Sequence, residues 1–199
     1  MSTLVILGVI GVAFVLYGVM IYNKLIRFKN HFRNAYSQID VQLQRRHELI
    51  PNLVEIARGY LKHEQQTLVA VTEARNAAAS CSKDAAADPG NPGVMQALAK
   101  AESQLAGAMG KLNVVMEAYP ELKADERMQD LHDELTSTEN RVGYARQAYS
   151  DAVMRYNAYR EQFPPVIVAQ LFSFKEADLF AVVSEEIKQP VSVSFDQAA

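Results

Sequence analysis

The chain has 199 residues, 49% of them apolar, with no Trp, a single Cys and a net charge of −3. That suffices for one modest domain with a core, plus appendages. The acidic balance excludes the basic face that nucleic-acid binding requires, and the lone Cys81 excludes an intramolecular disulfide and fits a reducing compartment.

Residues 4–22 (LVILGVIGVAFVLYGVMIY) carry no charged side chain. As a helix they rise roughly 28 Å, close to the apolar thickness of a bilayer. A signal peptide would start with a basic residue and end in a small-residue cleavage site. A core helix would not stay apolar on every face. The segment therefore reads as a retained single-pass transmembrane anchor, residues 1–22, with the lipid bilayer as its partner. Lys24, Arg27, Lys29 and Arg33 follow it and contribute +4 before the first acid, Asp40, so the remainder carries −7 against the net −3. Basic residues on that side place the N-terminus outside and the body in the cytoplasm. Gly8, Gly11 and Gly18 form a small-residue stripe of the kind that lets membrane helices approach closely. Self-association through it is the expectation; ordinary glycine use in a lipid-facing helix is the alternative.

The body, residues 23–164, reads as all-α. Leu25, Phe28, Phe32, Ala35 and Ile39 recur at helical spacing with no Pro or Gly in residues 23–50, so the anchor continues directly into it. A seam runs on through Leu43, Arg46, Ile50, Leu53, Ala57, Tyr60, Glu64, Leu68 and Val71 without a phase change at Pro51. A hairpin there needs connecting residues that the seam does not spare. Pro51 thus reads as a helix kink, with a full break into two antiparallel helices as the alternative. Its missing N–H and its ring leave the His47 carbonyl in need of another donor, Asn52 or a neighbouring Arg.

Residues 80–93 (SCSKDAAADPGNPG), which include Cys81, form the clearest loop. Asn91 caps the next helix, with Pro92 at its first position. Val94, Leu98, Ala101, Leu105, Ala108, Leu112, Val115 and Tyr119 alternate by four and three, and Gly107 and Gly110 imply close packing there. Asp125 caps a last long helix with a seam from Leu131 to Phe163, ended by Pro164-Pro165. Such seams bury themselves only against one another, as an antiparallel up-and-down bundle. The tail, residues 165–199, is short helical or extended. Residues 166–174 and 177–183 lie on the bundle or in the membrane interface, the bundle being favoured. Val191, Val193 and Phe195 alternate like a strand. Ile167, Leu171, Phe172, Phe174, Leu179 and Phe180 make the tail a candidate partner surface.

Catalytic and metal motifs fail. A zincin helix needs His four residues after the first His; after His47-Glu48 that position is Pro51, and after His63-Glu64 it is Thr67. His31 and His132 complete no spacing, Gly110-Lys111 lacks the rest of a phosphate loop, and Gly-x-Ser-x-Gly is absent. No metal, cofactor or catalytic residue is expected. What remains is a polar set on or beside the first seam: Asp40, Arg46, His47, Asn52, Glu55, His63 and Glu64. A buried charge must be paired, so these read as a structural network between helices. A ligand site and a cryptic enzyme at the His47/His63 region are the alternatives.

Tyr22-Asn23, IDVQLQRRHELIPNLVE (39–55), GYLKHE (59–64), Ala74-Arg75, YPELKA (119–124), STEN (137–140), ARQAY (145–149), RYN (155–157) and QFP (162–164) together resemble the LemA family over about residues 20–180. Ser150 and Ser173 depart from it, the latter where glycine is common. The resemblance implies a helical bundle on a membrane anchor in the bacterial cytoplasmic membrane, with no established enzymatic activity. It also implies ties to magnetosome membrane formation and to membrane proteases. The expected function is a non-enzymatic, self-assembling, homo-oligomeric scaffold for envelope organisation or membrane remodelling. The alternative is a regulator that binds a membrane protease or sensor.

Overall fold

A computed structural model describes residues 2–180. Among them are six helices and no strand: α1 (Ser2–Tyr60), α2 (Gln65–Ala87), α3 (Pro92–Glu117), α4 (Pro120–Lys123), α5 (Glu126–Glu161) and α6 (Pro165–Leu171). The strand expected at Val191, Val193 and Phe195, and the segment 181–183, lie outside the described residues.

The apolar segment and the first bundle helix are one element. In α1 the side chains of residues 2–17 are all exposed, whereas Ile21, Leu25, Phe32, Tyr36, Ile39 and Leu43 are buried at spacings of three to seven. The change marks where the helix gains neighbours. α1 is the one helix among the described residues long and apolar enough to cross a membrane.

Helix α1 does not run to residue 80, as its seam implies. It ends at Tyr60, and a tight turn at residues 61–64 reverses the chain into α2. Leu61, not Tyr60, is the buried member there, and its N–H still reaches Ala57 O at 2.8 Å. Pro51 lies exposed inside the unbroken helix. Helix α2 runs through Cys81, so the loop expected at 80–93 contracts to residues 88–91.

The two expected caps are in place. Asn91 Oδ1 accepts from the Gly93 N–H at 3.1 Å, with Pro92 first in α3. Asp125 Oδ1 accepts from Arg127 and Met128 N–H at 3.0 and 3.3 Å. Each such cap stabilises its helix by about 1 kcal/mol. A Cβ at Gly107 or Gly110 would meet nothing within 4 Å, so close packing does not account for either glycine.

Helix α1 packs chiefly on α5, then on α2, and α2 on α3. Antiparallel register with α5 follows from ring pairs whose numbers run oppositely: Phe28 with Tyr159, Phe32 with Tyr156, and Tyr36 with Tyr149, at centroid distances of 5.3, 5.1 and 5.7 Å. Backbones of α3 and α5 nowhere bring their Cα atoms within 8 Å. The core divides into two clusters. One holds Ile21 to Leu43, Met95, Leu98 and Tyr149 to Tyr156; the other holds Ile50 to Leu61, Leu68 to Ala78, Leu105 and Leu112.

The tail is clamped rather than free. Ser173 and Phe174 N–H groups return to Gln170 and Ala169 carbonyls at 3.2 and 2.8 Å, closing α6 with a two-bond C-terminal motif. That motif needs a left-handed residue, and Ser173 adopts φ 55°, at a steric cost of about 1 kcal/mol relative to glycine. Residues 174–180 then run along α5 without regular secondary structure. The Tyr156 and Tyr149 hydroxyls donate to Lys175 and Asp178 carbonyls at 2.7 and 2.8 Å. Asn157 both donates to Ala177 O and accepts from its N–H, at 2.8 and 3.1 Å. Asp178 N–H reaches Gly90 O at 2.9 Å. Only glycine suits position 90: φ is +88°, and a Cβ would sit 3.0 Å from Ala177.

Candidate functional site

The polar centre of the bundle lies where the two apolar clusters meet. Buried positions on α1 recur at 43, 47, 50, 54 and 57, and the pattern continues to Leu61 in the turn. His47 therefore occupies the seam position that spacing alone assigns to Arg46, and Arg46 sits at its edge. From α3, Glu102 reaches both: Arg46 Nη2 donates to Oε2, and His47 Nε2 lies 3.0 Å from Oε1. A carboxylate only accepts, so the imidazole carries its proton on Nε2 and donates. Glu102 and His47 are 5% and 3% exposed, and the Arg46 side chain 17%. Desolvation, with the Arg46 and Arg75 guanidiniums nearby, pushes His47 down from 6.5 to about 4. Glu102 pulls the other way, but Arg46 already neutralises it.

From α2, Arg75 Nε donates to the His47 carbonyl at 2.7 Å. This is the acceptor that Pro51, four residues on, cannot satisfy. Two turns earlier on α1, Ser82 Oγ donates to Asp40 Oδ1 at 3.0 Å, beside the buried Tyr36. Arg45 pairs with Glu134 on α5 at the surface. The network thus ties α1 to α2, α3 and α5 at one level.

Of the seven residues expected to form this network, Asp40, Arg46 and His47 do so. Asn52, Glu55 and His63 are exposed. The apolar stripe of α1 passes through 50, 53, 54 and 57, which turns 52 and 55 to solvent. Glu55 pairs only with Arg58 on its own helix. His63 lies in the turn, and Glu64 stands at the start of α2 without a side-chain cap bond. His47 and His63 do not converge: one is buried inside the bundle and the other exposed at its end. Among the described residues no three His, Cys, Asp or Glu side chains are placed to hold a metal.

Glu102, Arg75 and Ser82 complete the centre, although Arg75 stands in the Ala74-Arg75 motif and Ser82 in the stretch expected as a loop. Each had a signal. Met95, Glu102, Met109 and Met116 are spaced by seven on α3, and only one is charged. On α2, Leu68, Val71, Arg75, Ala78, Ser82 and Ala85 alternate by three and four, with two polar members.

Between α3 and α5 a cavity of about 260 Å³ is lined by Arg46, Met109, Asn113, His132, Thr136 and Glu139, among others. Its walls are mixed polar and apolar, and it places Arg46 at the boundary between the buried pair and solvent.

The tail residues expected to form one partner surface separate. Phe180 is buried, with Arg146 stacked 4.8 Å above its ring, and Phe174 is half-buried. Leu179 is 39% exposed. Ile167, Leu171 and Phe172 remain exposed and line a groove with Gly18. A Cβ at Gly8, Gly11 or Gly18 would meet nothing within 4 Å.

Arg75→Met is expected to cost about 2 kcal/mol, because it strips a charged donor from an inward-facing carbonyl. Pro51→Ala in the same background restores an N–H to that carbonyl and should recover most of the loss. Urea unfolding of both single variants and the double variant in detergent measures the coupling; strictly additive effects would refute it.

Residues 35–195 match the family model for the LemA family. The magnetosome protein MamQ 2 of Paramagnetospirillum magneticum is 24% identical over 184 residues, covering 85% of this chain and 68% of that protein. MamQ of Magnetospirillum gryphiswaldense is 22% identical over the same length and coverage. Protein LemA of Metamycoplasma hominis is 24% identical over 158 residues, covering 79% of this chain and 68% of its own.

Proposed function

This chain belongs to the LemA family, and on that premise we propose that it is a non-enzymatic, membrane-anchored scaffold that self-assembles to organise or remodel the bacterial cytoplasmic membrane. One observation carries the reading. Helix α1 passes without interruption from the apolar segment to the far end of the bundle, 59 residues in all. A rigid rod of roughly 88 Å couples whatever the bundle binds to the plane of the bilayer. The polar centre supports the same role. Its charges face one another, and three contacts among Arg46, His47, Glu102 and Arg75 tie α1 to α2 and α3. Relatives named as magnetosome proteins direct the proposal towards membrane organisation. The bundle stands on the cytoplasmic side, behind Lys24, Arg27 and Lys29.

Assembly uses the open face of Gly8 and Gly11. Light scattering of the full chain in nanodiscs large enough for several copies is expected to give an oligomer, and Gly8→Leu with Gly11→Leu to reduce it to monomer. A wild-type protein that stays monomeric at every protein-to-lipid ratio removes self-assembly from the proposal. The second reading, a regulator of another membrane protein, draws on the exposed Ile167, Leu171 and Phe172.

A further inference from the structure

We propose that the groove between α1 and α6 holds a phospholipid acyl chain, so that the end of the bundle, and not α1 alone, is seated in the bilayer. The groove encloses about 670 Å³ and is lined by Phe14, Gly18, Tyr22, Phe163, Ile167 and Leu171, among other apolar side chains. Its α1 wall is the last two turns of the apolar run. Phe14 stands eight residues before Tyr22, roughly 12 Å deeper along the helix axis. The opposite wall therefore lies at the same depth if α1 crosses the membrane.

That wall is built for such a depth. Phe163, Leu171, Ile167 and Phe172 are 79, 75, 56 and 56% exposed and form one patch. Left in water, each large apolar side chain forgoes the stabilisation of burial, and a contiguous patch of this kind marks an interface. In lipid the backbone must satisfy its own polar groups. Pro164 and Pro165 remove two N–H donors where α5 turns into α6. The Val166 and Ile167 N–H groups return to Gln162 and Pro164 carbonyls at 2.8 and 3.1 Å, and the C-terminal motif closes the other end.

Charge selects the occupant. Immediately past the groove come Lys24, Arg27 and Lys29, with Lys24 Nζ held 4.4 Å from the Tyr159 ring centroid and Tyr22 meeting Phe172 edge-on, ring centroids 4.8 Å apart. Apolar walls that open onto cations and aromatic rings match an acyl chain beneath a phosphate headgroup. A second copy's helix fits less well. Of the glycines on the stripe only Gly18 lines the groove, and the other walls are bulky, whereas close helix approach needs small residues.

The proposal rests on α1 crossing the bilayer, and its test separates the two. The chain has no Trp, so single Trp variants of the full protein report their own surroundings. In nanodiscs with one copy each and brominated-chain phosphatidylglycerol, Phe163→Trp and Leu171→Trp should emit towards the blue and lose signal several-fold. Tyr144→Trp, on the exposed bundle surface, should do neither, and Ile10→Trp should be quenched by deep bromines. Water-like, unquenched emission at 163 and 171 with Ile10→Trp quenched overturns the proposal and leaves the anchor standing. An unquenched Ile10→Trp overturns the anchor and the proposal with it. Shielding of 163 and 171 in two-copy discs assigns the groove to a second chain, which also overturns it. A chain-labelled spin lipid should show a restricted component that Gly18→Phe abolishes; a Cβ at position 18 meets nothing within 4 Å, so the substitution starts in open groove space. Persistence of that component places the lipid elsewhere and overturns the groove.

Discussion

Glu102→Ala is expected to destabilise the bundle by about 3–5 kcal/mol, the usual consequence of removing one partner from a buried ion pair. The substitution leaves Arg46 charged at 17% side-chain exposure and His47 with a buried donor and no acceptor. No neighbour replaces the carboxylate, because the remaining charged groups around Arg46 are Glu139, at the cavity wall, and the like-charged Arg146. Glu102→Gln should cost less, since it keeps one acceptor and the side-chain volume. Arg46→Met added to Glu102→Met should recover part of the loss, as apolar pairs often replace buried ion pairs without penalty. Urea unfolding in detergent reads all of these. A loss below about 1 kcal/mol for Glu102→Ala would mean that the pair behaves as a hydrated surface bridge.

The position of this pair explains why one substitution weighs so heavily. It sits between the cluster around Leu43 and Leu98 and the cluster around Ile50 and Leu105. A one-turn slip of α3 along α1 would still bury apolar side chains on both sides. It would also leave Glu102, Arg46 and His47 unpaired. The apolar clusters thus supply cohesion, and the charges select one register among several that cohesion alone would tolerate.

Much of this was legible in the residues. The long apolar helix, the caps at Asn91 and Asp125, the seam of α3 and the seam of α5 as far as Tyr159 follow from local chemistry, and each is where its pattern places it; Phe163, the expected last member of the α5 seam, instead lies 79% exposed beyond the end of the helix. The turn at 61–64 did not show, for a geometric reason. It occupies four residues, close to one helical turn, so the apolar phase on either side remains nearly continuous while the chain reverses. Missing that turn merged α2 into α1 and hid Arg75 and Ser82, whose meaning depends on α2 having a face of its own. The dock of the tail was hidden differently. Tyr149, Tyr156 and Asn157 stand in the ARQAY and RYN motifs, but they grip backbone carbonyls and one backbone N–H. Backbone groups are present at every residue, so no side-chain pattern in 173–180 announces which ones are held.

Acidification is expected to weaken the bundle through His47 before most carboxylates titrate. The folded protein holds the imidazole neutral, with its protonation pushed down from 6.5 to about 4 by burial and by Arg46 and Arg75. The unfolded chain takes up that proton near the ordinary value. Between those limits the unfolded state binds more protons, so stability rises with pH. The contribution is complete above pH 6.5, falls as pH drops and is exhausted near pH 4; its span is about 3 kcal/mol. His47→Gln keeps a donor towards Glu102 but does not titrate. Its unfolding midpoint should therefore vary less between pH 7 and pH 4.5 than that of the wild type. Parallel pH profiles for the two proteins would mean that water reaches the imidazole, and that the polar centre is not the dry junction on which the register argument depends.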